Sequence, residues 1–183
     1  MSQFKGKVAV VTGGARDIGR AISVQLAREG AKVVVNYNSS RAGAKQTLEE
    51  IKSFRGKAVA VKADISTARG IKSLKNKTLK EFGKKVHILV NNAGGLFARK
   101  TLQEFDEDFY NLVMDVNFKG TVFAMQAFEP MMGKGSSIIN LSSLAARDGG
   151  GGGSSLYASS KGCLLYTSPS PRDATLSRMP SSA

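Results

Sequence analysis

The stretch Val8-Ala9-Val10-Val11-Thr12-Gly13-Gly14-Ala15-Arg16-Asp17-Ile18-Gly19-Arg20 opens on a run of apolar and β-branched residues, breaks on two glycines and resumes as an amphipathic segment. It reads as a strand, a tight turn and the start of a helix. Such a turn can hold an anion. Backbone N–H groups at a helix N-terminus point outward without partners, and glycine lets a phosphate approach the backbone. Glycines also serve any tight strand-to-helix connection, so the turn by itself leaves both readings open.

The same alternation continues down the chain. Nearly continuous apolar runs at 7–12, 32–36, 58–62, 86–91 and 137–141 read as strands, and segments with helical periodicity lie at 18–29, 41–54, 68–82 and 107–132. Strands alternating with helices predict an α/β fold, a doubly wound parallel sheet covered on both faces. The 107–132 segment is long and apolar enough to keep one face for a partner. Five consecutive glycines at 149–153 read as a floppy loop that can also lie close against a ligand.

The 183 residues suit one domain, and 42% apolar with 22% charged residues is the balance of an ordinary globule, which excludes disorder and collagen. No apolar run approaches the roughly 18 residues of a membrane span, and residues 1–7 lack the apolar stretch of a secretory signal. The expected location is the cytoplasm, with no membrane partner. Lys and Arg number 27 against 14 Asp and Glu, a net charge of +13. The densest basic stretch, Lys72, Lys75, Lys77, Lys80, Lys84 and Lys85, interleaves with Ile71, Leu74, Thr78 and Phe82 at helical spacing, which is a solvated helix face. No helix-turn-helix, zinc-finger or RNP-like pattern stands beside it, so nucleic acid is not an expected partner.

Residues 163–183 are a different kind of text: three of the four prolines, no periodicity, and the run Ser168-Pro169-Ser170-Pro171. Back-translation of 163–173 and of 178–183 with permitted codons resembles the two ends of a sequencing-library adapter, with 174–177 covering an index. The expectation is therefore a dinucleotide-binding domain over 1–162 and a non-native tail over 163–183. Cys163, the only cysteine, falls in that tail, which leaves 1–162 with no thiol, and no metal site is expected.

The chemistry-bearing positions follow the strands. An acidic residue that would grip a ribose 2′-hydroxyl at the end of the second strand is absent; Asn36 stands there, followed by Asn38, Ser39, Ser40 and Arg41. A neutral site tolerates a 2′-phosphate, and Arg16, with Arg41 as a second candidate, supplies a charged partner for it. The sequence thus leans to NADP, with NAD possible. Farther on stand Asn91-Asn92-Ala93-Gly94, Asn117, Ser142-Ser143 and Tyr157-Ala158-Ser159-Ser160-Lys161. Tyr157 and Lys161 are four apart, so on a helix they share a face, and a nearby cation favours phenolate. That makes Tyr157 a general acid for a carbonyl or a base for an alcohol.

Together these residues make 4–162 resemble the classical short-chain dehydrogenase/reductase family, whose marks are a Thr-Gly-x-x-x-Gly-x-Gly turn, Asn-Asn-Ala-Gly, and Ser with Tyr-x-x-x-Lys. Within it the chain is most similar to 3-oxoacyl-acyl carrier protein reductases and sugar 1-dehydrogenases, through the runs 33–37 and 82–94. The resemblance implies a Rossmann-like fold, and a catalytic set of Asn117, Ser143, Tyr157 and Lys161. It further implies cofactor contacts from Gly13, Arg16, Asp17, Ile18, Gly19, Asn36, Asp64, Ile65, Asn91, Ala93, Gly94, Tyr157 and Lys161. The implied reaction is hydride transfer between nicotinamide and a small-molecule carbonyl or secondary alcohol, in a homo-oligomeric parent enzyme.

Three features depart from the family pattern. Asp17 replaces the middle glycine of the turn, where a carboxylate repels a pyrophosphate although Asp accepts unusual backbone angles. The interval from Ser143 to Tyr157 is one residue longer than usual, which keeps Ser142 as a fallback. The family chain also continues past Lys161 with further strands and a substrate lid, so 1–162 is expected to be an incomplete portion and the chain as written inactive. The rival expectation is a non-catalytic basic binding fragment with a vestigial dinucleotide turn.

Overall fold

A computed structural model describes residues 3–166. Five strands, β1 (Val8–Thr12), β2 (Lys32–Tyr37), β3 (Lys57–Lys62), β4 (Ile88–Asn91) and β5 (Ser137–Asn140), form one parallel sheet in the order β3-β2-β1-β4-β5. Between them run α1 (Asp17–Arg28), α2 (Arg41–Ser53), α3 (Ala68–Phe82), α4 (Glu107–Met114) and α5 (Gly120–Phe128); α6 (Ala145–Asp148) and α7 (Ser155–Tyr166) follow β5. The α/β, Rossmann-like fold expected from the alternation is the one observed.

The unbroken apolar strands have a direct cause. Successive side chains of a strand point to opposite faces, and here both faces are covered. From β1, Val8 and Val10 enter a core with Val34, Leu74, Leu89 and Phe128, beneath α3 and α5. Ala9 and Val11 point the other way, into a core with Val24, Val33, Val35 and Ile51, beneath α1 and α2. Leu74, Leu89 and Phe128 are each 0% exposed, and burying one such side chain is worth about 1.5–3 kcal/mol. On the outer face of α3, Lys72, Lys77 and Lys80 are exposed while Ile71, Leu74 and Thr78 are buried, the solvated face read from the spacing.

Strand order reverses at β1, with β2 on one side and β4 on the other. That is the switch point at which the loops leaving the C-terminal strand ends diverge and open a crevice. The glycine turn, Asp64, Tyr157 and Lys161 all border that crevice.

Three departures from the expected elements matter. The 107–132 helix is interrupted: a π-turn at Asp115–Lys119 separates α4 from α5, and a 3-10 turn at Glu129–Met131 ends it. The π-turn coincides with Asn117, 0% exposed, whose side chain is committed to the backbone of Gly95 rather than to its own helix. Neither α6 nor a 3-10 turn at Leu102–Glu104 had been expected. Lastly, α7 passes the expected boundary at Gly162 and carries Cys163–Tyr166, with Leu164 2% exposed. The rest of the expected tail, 167–183, lies outside the described residues.

Candidate functional site

A cleft of about 480 Å³ crosses the C-terminal ends of β1, β2 and β4, from residues 37–40 at one end to Tyr157 and Lys161 at the other. Its floor is the glycine turn. Gly13 has φ +63°, and a Cβ there would lie 2.9 Å from Ala93 Cα. A Cβ on Gly19 would overlap Gly13 O and lie 2.6 Å from Asn92 Nδ2. Both glycines therefore let the turn, the helix and the end of β4 close on one another. Arg16 makes no side-chain cap to α1, so the first N–H groups of that helix open into the cleft. Asp17 adopts φ +48°, the left-handed conformation that the family's glycine would take freely.

Twelve of the expected site residues line this cleft: Gly13, Arg16, Asp17, Ile18, Gly19, Asn36, Asp64, Ile65, Ala93, Gly94, Tyr157 and Lys161. Their side chains do different work. Asn36 is 2% exposed and acts as a clamp: its Oδ1 accepts Gly13 N–H at 3.3 Å, and its Nδ2 donates to Val61 O at 3.3 Å and Ala63 O at 2.9 Å. Beyond it the cleft surface is made by Tyr37, Asn38, Ser39 and Ser40. Asp64 Oδ1 accepts from Ser66 N at 3.0 Å and Ser66 Oγ at 2.7 Å. Thr67 caps α3 by accepting Gly70 N–H at 3.0 Å. Ile65 is 5% exposed and belongs to the core below.

Three expected residues do not line the cleft. Asn91 turns into the sheet, 2% exposed, and donates from Nδ2 to Asn140 Oδ1 at 2.8 Å. Its neighbour Asn92 takes the cleft side, donating from Nδ2 to Thr12 O at 3.0 Å and Gly13 O at 3.1 Å. Adjacent residues leaving a strand point oppositely, so one of the pair had to be structural. Ser143 Oγ accepts Ala145 N–H at 3.2 Å, and it is Ser142 that lines the cleft, donating from Oγ to Lys161 O at 2.8 Å. Asn117 sits behind Gly94: it accepts Gly95 N–H at 2.8 Å and donates to Gly95 O at 2.9 Å, fastening the segment after β4 to the π-turn.

At the Tyr157 end of the cleft the groups converge. A Cβ on Gly94 would lie 2.5 Å from Asn117 Oδ1 and 2.9 Å from Lys161 Nζ. Lys161 is 4% exposed, and Nζ donates to Leu141 O at 2.9 Å. Burial of its ammonium lowers its pKa from 10.5 to about 8. An ammonium has three donors, and among the described residues its one hydrogen bond is to Leu141, so the buried amine lines the cleft with hydrogen-bonding capacity left over. Tyr157, one turn earlier on α7, shares its face as the four-residue spacing requires. The wall beside it is apolar, made of Phe97, Leu112, Val116 and Leu141. Those four escaped the sequence reading because they come from three separate segments.

Comparison with known proteins agrees with this geometry. Residues 7–170 match the short chain dehydrogenase family. An uncharacterized oxidoreductase of Methylorubrum extorquens is 43% identical over 164 residues, 90% of this chain and 65% of that protein. A short chain dehydrogenase from Burkholderia cenocepacia, solved in complex with NADP, is 33% identical with a TM-score of 0.84 over 89% of this chain and 66% of its own. An NADH-dependent reductase, A1-R′, solved with NAD, is 34% identical with a TM-score of 0.83 over 89% of this chain and 70% of its own. The chain spans about 60–65% of the length of the curated relatives it matches. With the parallel sheet, the glycine turn and the Tyr157–Lys161 pair in one cleft, and with the family match running through all of them, the chain belongs to the short-chain dehydrogenase/reductase family.

Proposed function

We propose that the protein is an NADP(H)-dependent oxidoreductase that interconverts a carbonyl and a secondary alcohol, with NAD as a weaker alternative. The observation that carries this reading is the single cleft joining the uncapped start of α1 to Tyr157 and the buried, cationic Lys161. The residues suit a dinucleotide. Open N–H groups at the start of α1, from Asp17 to Gly19, face a pyrophosphate, Asp64 and Ile65 an adenine, and Lys161 a ribose hydroxyl. Arg16 is exposed on the cleft rim beside Ser39 and Ser40 and suits a 2′-phosphate, while no carboxylate among the residues at 36–41 opposes one. Of the relatives, one was solved with NADP and one with NAD, which supports the pair of cofactors.

The bound nicotinamide supplies or accepts the hydride. The protein handles the proton. In the reducing direction the Tyr157 hydroxyl gives its proton to the carbonyl oxygen as the carbon is reduced, and the resulting phenolate is held by the Lys161 cation on the same helix face. Ser143, or Ser142 which already lines the cleft, donates to the developing alkoxide. Asn117 fastens Gly95 behind Gly94, which packs closely against Lys161, while Leu141 O holds its Nζ.

The wall of Phe97, Leu112, Val116 and Leu141 favours an apolar acyl or aryl group beside the carbonyl over a polyhydroxylated sugar. Of the two subtypes the sequence resembles, this supports the 3-oxoacyl reductase type. The further expectations, a homo-oligomeric parent enzyme in the cytoplasm, belong to the same proposal. The test is a Tyr157→Phe variant in a form of the protein that turns over. NADPH binding, followed by cofactor fluorescence, should be nearly unchanged, while carbonyl reduction falls by about 100-fold or more, the worth of a positioned proton donor. Retention of most of the turnover refutes the assignment, and failure of the unsubstituted protein to bind NADPH refutes the whole reading.

A further inference from the structure

Phe97 is a non-glycine residue at φ +62°, and across it Ala98 N–H donates to Leu96 O at 2.8 Å, closing a three-residue turn. Turns of this kind with a positive central φ are rare and strained. Such strain persists only where the surroundings over-determine it, and it concentrates at functional clefts. Phe97 is half-exposed and forms part of the wall beside Tyr157.

What over-determines the turn lies just beyond it. Arg99 Nη1 donates to Gly152 O at 2.7 Å, and Lys100 N–H donates to Gly153 O at 2.9 Å. Lys100 Nζ is also paired with Asp106 at 2.9 Å and lies 4.7 Å from the Phe109 ring centre, which holds the strap down from its far side. The glycine run read from sequence as floppy is thus docked. Gly149, Gly150, Gly151 and Gly153 all have positive φ, so the path is open to few other residues. A Cβ on Gly153 would lie 3.0 Å from both Arg99 Cβ and Lys100 N.

The opposite end of the run is tied to the helix that bears Tyr157. Ser154, 3% exposed, has its Oγ 3.1 Å from Gly149 O and 2.6 Å from Gly151 O. Its carbonyl accepts Ala158 N–H at 2.8 Å, in the first turn of α7. Leu156 packs with Phe109 and Val113, the same aromatic that Lys100 overlies. A closed circuit therefore runs from Phe97 through Arg99 and the glycines to Ser154 and Tyr157.

We propose that residues 149–153 are a latch: by accepting hydrogen bonds from Arg99 and Lys100 they lock the strained turn at Phe97 to the start of α7, so that Arg99 is a positioning residue holding both walls of the reacting end. The latch explains why the interval from Ser143 to Tyr157 tolerates an extra residue, since the glycines are anchored by backbone bonds rather than by length. The catalytic consequence rests on the reading of Tyr157 as proton donor; the coupling of the two segments does not.

Three single variants, Arg99→Ala, Arg99→Lys and Gly153→Ala, with the double Arg99→Ala/Gly153→Ala, test it in the full chain. Hydrogen exchange is followed at the Ala98, Lys100 and Ala158 amides, together with NADPH affinity and, with a carbonyl substrate, kcat and KM. Arg99→Ala and Gly153→Ala should each speed exchange at all three amides by about fivefold, the loss of one exposed hydrogen bond. The double variant should do little more than either single one, since both open the same latch, and Arg99→Lys should restore part of the protection. NADPH affinity should hold, because the glycine turn lies at the other end of the cleft, while KM rises and kcat falls together. Faster exchange confined to 97–100, additive effects in the double variant, or unchanged KM and kcat in a protein that turns over would overturn the latch. A chain whose amides respond as a unit but which shows no NADPH binding would instead overturn the proposed function.

Discussion

Asp17 stands where strain and charge meet, and two substitutions separate them. It is exposed on the cleft at the first residue of α1, at φ +48°. A left-handed L-residue costs about 1–2 kcal/mol, less for Asp, whose short polar side chain tolerates the region. Asp17→Gly removes that cost. It also forfeits about 0.3–1 kcal/mol of carboxylate at a helix N-terminus and adds about 0.5–1 kcal/mol of backbone freedom to the unfolded chain. These terms cancel to within about 0.5 kcal/mol, a melting shift of roughly 2 °C or less for a chain of this size. Binding does not cancel. Two like charges about 6 Å apart in water repel by about 0.7 kcal/mol, and a diphosphate carries at least two. Asp17→Gly should therefore bind NADPH about 3- to 10-fold more tightly at low salt. Asp17→Asn should do the same, since Asn keeps the tolerance of positive φ and drops the charge. The gain should shrink at high salt, where the screening length falls below 10 Å. Cofactor-fluorescence titration at two salt concentrations, with circular-dichroism melts, reads both quantities. If Asp17→Asn binds no more tightly than the unsubstituted chain at low salt, the carboxylate is not what limits affinity.

Arg16→Ala should narrow the preference for NADPH over NADH by about 10-fold, the worth of one charge-assisted contact; equal affinities before substitution would refute the assignment of Arg16 to a 2′-phosphate. Gly94→Ala places a methyl 2.5 Å from Asn117 Oδ1 and 2.9 Å from Lys161 Nζ, so turnover should fall by about 100-fold while the melting temperature drops by only a few degrees. Wild-type kinetics in that variant would show that the three groups are not tightly apposed. The pH dependence of folding should carry a signature of His87. Its Nδ1 accepts Val8 N–H at 3.0 Å, and burial, with Lys7 and then Lys85, holds its pKa below 6.5. The folded state prefers the neutral ring, so this contribution is present above pH 6.5 and is lost as pH falls through the folded value. Denaturant melts between neutral and mildly acid pH should show a steeper loss in the unsubstituted chain than in His87→Ala; parallel curves would refute it.

The sequence by itself determined the architecture and the shared helix face of Tyr157 and Lys161. Period-two and period-3.6 patterns are local, and a doubly covered sheet writes them as unbroken strands such as 33–35 between amphipathic helices, so the α/β fold was legible. The Tyr157–Lys161 spacing was legible for the same reason, because four residues along one helix fix a shared face. Tertiary structure decided what each neighbour does with its side chain. Nothing local distinguishes Asn91 from Asn92, or Ser142 from Ser143; the register of β4 against β1 and β5 sends Asn91 inward to Asn140, and the turn into α6 occupies Ser143 while Ser142 meets α7. Asn36 lines the cleft and also serves as a clamp, because β1 and β3 lie on either side of β2. The glycines at 149–153 read as freedom, and they are held because Arg99 and Lys100, some fifty residues away, supply the donors. Local periodicity records only which face of an element is covered; what covers it, and which polar atoms are thereby committed, depends on contacts between segments that the chain order keeps apart.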